Sequence, residues 1–203
     1  NTNAISRGDG SEHWHNRIGR QRKSAAGIGF RACLDDRSAR PKGRCVMAIA
    51  LSLQRYLDGR GCSYDVVAHE RTLHATDTAD VSDVPKDNLA KGVLMKRKDG
   101  YLLAVVPASC HVDLDGRARL VQNTVGLATE EEVTSVFADC DVGAIPPVGS
   151  AYGLTSVIDD CLEVLNEIYF DGGDHRTLIR INGREFHRLT ADVPHAQIAV
   201  RNH

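Results

Sequence analysis

The sequence lacks most of the signatures that mark common chemistries. Its six cysteines, Cys33, Cys45, Cys62, Cys110, Cys140 and Cys161, form no CxxC pair and no tight cluster. That argues against a structural zinc site and against a small disulfide-built domain, and free thiols in a reducing cytoplasm are the simplest expectation. The nine histidines are dispersed and no HExxH occurs. GxxxxGK[ST] and GxGxxG are both absent, so neither a metal nor a nucleotide cofactor is expected. Gly149-Ser150-Ala151-Tyr152-Gly153 has the wrong spacing for a nucleophile elbow. No apolar run approaches the ~20 residues of a membrane span. No charged-then-apolar signal segment opens the chain, and there is no internal repeat.

What remains is ordinary in bulk and uneven in distribution. The 203 residues are 42% hydrophobic and 26% charged, which suits one globular domain with a sizeable core. The net charge of −2 hides an asymmetry. Residues 1–46 carry ten Lys and Arg against four Asp and Glu, or +6; the remainder is −8. Residues 1–46 are rich in Gly, Ser, Arg and Asn without helical or strand period, so a basic, disordered leader is expected there. Its composition also suits a transit peptide or a weak nucleic-acid arm. Regular patterning begins at Met47, a plausible alternative start. The domain is expected over 47–191 and a loose tail over 192–203.

Within the domain, Ile49, Leu53, Tyr56 and Leu57 fall at helical spacing, and Gly59 and Gly61 end that helix. Tyr64 to Ala68 reads as a strand. His69 to Asp87 reads as a polar, turn-rich stretch with Thr72, Thr76 and Thr78 as candidate caps. Gly92 to Arg97 and Tyr101 to Val106 form a hairpin about Lys98-Asp99-Gly100. Leu114 to Val121 suits a short helix, and Thr129-Glu130-Glu131-Glu132 is a capping box for another. Asp141 to Gly153 is a loop stiffened by two prolines. Strands follow at Thr155 to Ile158, Glu167 to Phe170 and Thr177 to Ile181, and Asn182 caps a last helix to Leu189. The expected fold class is α+β: a compact single domain around a mixed β-sheet with short flanking helices.

Lys91 stands at the mouth of the first hairpin strand, where a lysine is either a solvated strand end or a cation aimed into a pocket. Three segments bear on that choice: Leu89-Ala90-Lys91-Gly92-Val93-Leu94, Gly143-Ala144-Ile145-Pro146-Pro147-Val148-Gly149, and Gly172-Gly173-Asp174-His175-Arg176-Thr177-Leu178. In this order and spacing the sequence resembles the YbaK / prolyl-tRNA synthetase-associated domain family over about Met47 to Leu189. The resemblance implies a YbaK-like fold and a free-standing trans-editing aminoacyl-tRNA deacylase of the cytoplasm. Such an enzyme hydrolyses the ester of mischarged tRNA carrying a small amino acid such as alanine or cysteine. It implies the acceptor end of an aminoacyl-tRNA as partner, with a synthetase as a further one. It places Lys91 as the catalytic residue. Gly143, Pro146, Pro147, Gly172, Gly173, His175 and Arg176 become substrate-binding candidates. His74, Tyr152 and Asp174 are further candidates, Asp174 standing where many members have serine. The alternative is a non-catalytic module that binds a tRNA acceptor end or an aminoacyl-adenosine-like ligand.

Elementary chemistry runs the same way. Ester hydrolysis needs a positioned water and donors for the developing oxyanion. Backbone N–H groups of the Gly172-Gly173 turn are the expected donors. The proline loop is expected to offer carbonyls to the α-ammonium group. Lys91 is expected to act as a fixed positive charge. Cys110 has no paired base in sequence and is expected to be inert.

Overall fold

A computed structural model describes residues 49–114 and 124–201. The basic leader, and the helix expected over 114–121 apart from Leu114, lie outside the described residues. Helix α1 (Leu51–Gly59) buries Leu53 and Leu57, one turn apart on one face, and Gly61 at φ +59 releases the chain into β1 (Tyr64–Ala68). β1 pairs antiparallel with β8 (Thr177–Asn182), and β8 with β7 (Glu167–Asp171), giving a three-stranded sheet in the order β1-β8-β7.

The hairpin β2 (Ala90–Arg97) and β3 (Gly100–Pro107) is the centre of a five-stranded sheet, ordered β5-β2-β3-β6-β9. Its other members are β5 (Thr124–Leu127), β6 (Thr155–Asp159) and β9 (His195–Ala196). β3 runs parallel to β6, and β6 to β9, while β2 is antiparallel to both neighbours. The sheet is mixed, as expected. Leu102 through Val106 are all buried, because β3 is covered on both faces. Leu103 and Val105 join α1, β7, β8 and Phe186 in the main core, whereas Leu102, Ala104 and Val106 pack with Met95, Val112 and Ile198 behind it.

Thr129 caps α3 (Glu130–Val136) as its sequence predicts: its hydroxyl accepts from Glu132 N–H, and the Glu132 carboxylate accepts from Thr129 N–H at 2.7 Å. That carboxylate also meets Lys96 Nζ at 2.9 Å, fixing α3 to β2. Asn182 caps α4 (Gly183–Leu189) by accepting from Arg184 N–H. Gly183 is required there, since a Cβ would stand 2.0 Å from the Leu165 carbonyl oxygen.

Three elements depart from the sequence reading. The polar stretch after β1 contains α2 (Ala75–Val81), which starts at His74 rather than at a threonine. It buries only Thr78 and Ala79, against a small cluster with Leu89, Ala108 and Leu178, so it shows no apolar period. β4 (Cys110–Val112) is a short strand that pairs with β10 (Ala199–Arg201). The loose tail expected at 192–203 is therefore corrected over 195–201. β9 pairs with β6, Ile198 is fully buried, and the buried Asp159 carboxylate accepts from both Ile198 and Ala199 N–H at 2.8 Å. A long-range carboxylate tether of this kind leaves no local sequence pattern.

Candidate active site

β2 lies between two strands that leave part of its outer edge bare. β7 touches it through the Leu89–Tyr169 bridge, with Tyr169 N–H donating to Asn88 O. β5 joins it at Met95, where Ala128 N–H donates to Leu94 O. In the gap opens a cleft of about 640 Å³, with residues of α2 and α3, Val142, Gly143, Ile145, Asp171 and His175 in its other walls. The lining is mostly apolar, including Leu73, Ala75, Val133, Val142 and Ile145. Leu73 and Val142 are 66% and 61% exposed, so the mouth itself presents hydrocarbon to water.

Lys91 is part of the wall, and its ammonium group makes no hydrogen bond or ion pair among the described residues. It pairs in register with Val106, so its side chain leaves the sheet on the face opposite Gly92. Burial pushes its ammonium group below the usual lysine range, with the Cys110 sulfur opposing that shift in part. Gly92 follows for a steric reason: a Cβ there would stand 2.8 Å from Ile145 Cγ2, so only glycine lets the proline loop dock on β2.

His175 is 3% exposed and its backbone adopts φ +56, an unusual setting for a side-chain-bearing residue. Nε2 lies 2.8 Å from Val142 O. A carbonyl can only accept, so Nε2 carries a hydrogen and Nδ1 faces Asp171 Oδ2 at 3.8 Å. Gly143, at φ +87, passes beside the ring, where a Cβ would approach it to 3.7 Å. His175 thus pins the proline loop to the glycine turn. Asp171 organises that turn: its Oδ1 accepts from the N–H groups of Gly173, Asp174 and His175. Burial raises its carboxyl pKa, against those hydrogen bonds and the nearby His175 ring.

The candidates named from sequence therefore separate. His74, Lys91, Gly143 and His175 line the cleft; Pro146, Pro147, Gly172, Gly173, Asp174, Arg176 and Tyr152 do not. Pro146 and Pro147 are buried behind it. The glycine turn does not present N–H donors to a ligand. Gly172 N–H goes to Thr177 O, Gly173 N–H to Asp171, and Asp174 Oδ1 takes the N–H groups of Arg176 and Thr177. Asp174 is a turn-former, a role a serine can also fill. Arg176 is exposed beyond the turn. Tyr152 stacks obliquely on Phe137, ring centres 4.5 Å apart, with its hydroxyl 3.2 Å from Cys140 Sγ. Burial pushes the Cys140 thiol up to about 12, so it carries no thiolate. The sequence reading missed Asp171 and Ile145; an acidic residue directly before a Gly-Gly pair was the available signal for the first. Among the described residues no three His, Cys, Asp or Glu side chains converge as metal ligands, and no helix is long and apolar enough to cross a membrane.

The α+β fold has counterparts among solved structures. The structure of a candidate trans-editing enzyme for prolyl tRNA synthetase is 26% identical, with TM-score 0.64, over 76% of this chain and 97% of the other. That of the hypothetical protein APE2540 is 20% identical, with TM-score 0.64, over 73% of this chain and 99% of the other, a likeness of fold. The aminoacyl-tRNA editing domain family matches residues 69–189, and the chain belongs to that family, with its YbaK-like α+β fold. No curated protein matches the sequence significantly.

Proposed function

We propose that the protein hydrolyses the ester bond of mischarged aminoacyl-tRNA in trans, with a small amino acid such as alanine or cysteine as the acyl group. The observation that carries this reading is a partly buried lysine, Lys91, among the residues lining the cleft of an editing-domain fold. In the reaction, water adds to the acyl carbonyl carbon, the bond to the ribose oxygen breaks, that oxygen takes up a proton, and the free amino acid leaves. Negative charge grows on the carbonyl oxygen during addition. A cation held in a poorly hydrated cleft stabilises it more than one in bulk water would.

The wall of Leu73, Val133, Val142 and Ile145 suits an apolar acyl side chain over a charged one. The remainder of the chain beyond residue 46 carries −8. Such a body repels an extended polyanion. Contact limited to the acceptor end, or tRNA delivery by a synthetase, accommodates that charge.

The test is a deacylation panel over tRNAs charged with Ala, Cys, Ser, Thr and Pro, run beside Lys91→Ala. Fast release of one or two small amino acids, lost in the variant, is the expected result. Tight binding of charged tRNA without turnover on any member would replace the enzyme with a binding module.

A further inference from the structure

The bare edge of β2 has a definite hydrogen-bonding phase. Along a strand, the N–H and C=O of successive residues face alternate sides. Ala108 N–H donates to Leu89 O, so Leu89 faces β3; Ala128 N–H donates to Leu94 O, so Leu94 faces outward. Counting by two from Leu94 makes Gly92 and Ala90 outward-facing. The register agrees independently, since the residue opposite Ala90 is Pro107, which has no N–H to give. Ala90 sits where β7 leaves the sheet. Gly92 lines the cleft between the two flanking registers, β7 at Leu89 and β5 at Met95, so its outward N–H and C=O have no strand partner there.

We propose that Gly92 reads the main chain of the aminoacyl group as if it were a single residue of a missing β-strand. This rests on the deacylase reading above. An aminoacyl ester carries an ammonium donor and a carbonyl acceptor on one Cα, the same complement that a strand residue offers. In an antiparallel hydrogen-bonded pair two facing residues exchange both bonds, with Cα atoms about 5.5 Å apart. Gly92 C=O accepts from the α-ammonium group and Gly92 N–H donates to the ester carbonyl. That N–H takes the role the glycine turn cannot fill, because every turn donor from Gly172 to Thr177 is already engaged. Facing residues of such a pair send their side chains to the same face. An L-aminoacyl side chain therefore falls on the Ile145 side of Gly92, and Ile145 Cγ2 measures its size.

The experiment uses the full chain labelled with ¹⁵N-glycine and four stable probes: the L-alanyl, D-alanyl, N-acetyl-L-alanyl and L-lactyl amides of 3′-amino-3′-deoxyadenosine. Hydrogen exchange at the Gly92 amide should slow by about tenfold or more with the L-alanyl probe. It should slow far less with the lactyl and acetyl probes, which lack the ammonium group, and with the D-isomer. In parallel, Ile145→Ala should shift the deacylation panel toward larger acyl groups such as valine. Probe binding seen at other glycines with Gly92 unchanged, equal protection by all four probes, or no binding by any of them overturns the assignment. The two readings fail separately. Turnover of charged tRNA with an unresponsive Gly92 removes this inference and leaves the deacylase. Selective protection of Gly92 without turnover removes the deacylase and leaves the recognition of the amino-acid main chain.

Discussion

Two glycine-bearing stretches flank the cleft and treat their polar groups in opposite ways. From Gly172 to Thr177 all six N–H groups are consumed inside the turn, by the carboxylates of Asp171 and Asp174 and by Thr177 O. At Lys91 and Gly92 an ammonium group without a side-chain partner, and an N–H and C=O that neither flanking strand reaches, stand beside a cavity. Unpaired polar groups shielded from bulk water carry a free-energy cost, and a fold tolerates that cost where a ligand removes it. Glycine is common to both stretches. In the turn it permits a positive φ at Gly173; at position 92 it permits the approach of Ile145. Satisfaction of hydrogen bonds, rather than residue type, separates scaffold from site.

The sharpest test of this division is Lys91→Ala. It should lower single-turnover deacylation by about 10²–10³, on the order of 3–4 kcal/mol of barrier, by analogy with lost oxyanion donors. Its melting temperature should barely move. Lys91→Arg should rescue poorly, since a planar fork does not replace a compact ammonium group. Lys96→Ala, on the same strand but paired with Glu132, should keep the wild-type rate. The depressed Lys91 pKa sets a sign as well: the rate of the wild type should decline on the alkaline side below the ordinary 10.5 as the cation is lost. A normal rate for Lys91→Ala would make it a solvated strand end.

Asp174→Ala should show the opposite pattern. Two N–H groups and the Thr177 hydroxyl lose their acceptor, at a cost of about 2–3 kcal/mol in denaturant unfolding. Asp174→Asn, which keeps Oδ1, should recover much of that. If Asp174→Ala unfolds normally but loses turnover, the turn belongs to the chemistry after all.

Gly143→Ala lies between the two cases. Its φ of +87 makes a side chain strained by about 1–2 kcal/mol, and the new methyl approaches the His175 ring. A smaller fall in rate is expected than for Lys91, together with a changed order of preference across the acyl panel. Unchanged preference would detach this loop from the acyl group.

The smallest effect is expected at the α3 cap. Thr129→Ala should cost about 1 kcal/mol of stability and leave acyl preference alone. The Glu132 carboxyl is held down to about 2, first by Thr129 N–H and then by Lys96. Its folded pKa lies below the ordinary 4.5, so its contribution is full above 4.5 and disappears as pH falls toward 2. Amide exchange in α3 should rise through that window in the wild type. A flat profile in Glu132→Gln would confirm that carboxylate as the source.

Much of this division was legible in advance, unevenly. The hairpin, α1 and the capping box follow from local patterns: Asp99-Gly100, apolar spacing at Leu53 and Leu57, and Thr129 with Glu132. α2 was missed because its packing rests on Thr78 and Ala79, residues that carry no apolar period. β9 and β10 were missed because their anchor is Asp159, some forty residues earlier. Within the site, the motifs located the right three segments but not the direction of their polar groups. Lys91, Gly143 and His175 do come together. The Gly172-Gly173 turn looked like an anion cradle, and only the three-dimensional hydrogen bonds reveal that Asp171 and Asp174 already fill it.

The pairing of Tyr64 with Ile181 joins opposite ends of the described chain. Such non-local contacts place a fold toward the slow end of the two-state range, because loop closure comes before the contacts that compensate it. The β2–β3 hairpin, by contrast, closes over a two-residue connection between Arg97 and Gly100. Local closure favours formation of the bare edge of β2 ahead of the docking of β7 and β8. In that interval it is an ordinary unpaired strand edge, open to a second chain along its whole length. Lys91 and Lys96 on that strand, with Lys98 in the turn, put charge along an edge that would otherwise template association. The cationic character of the strand thus also serves as protection on the way to the native state.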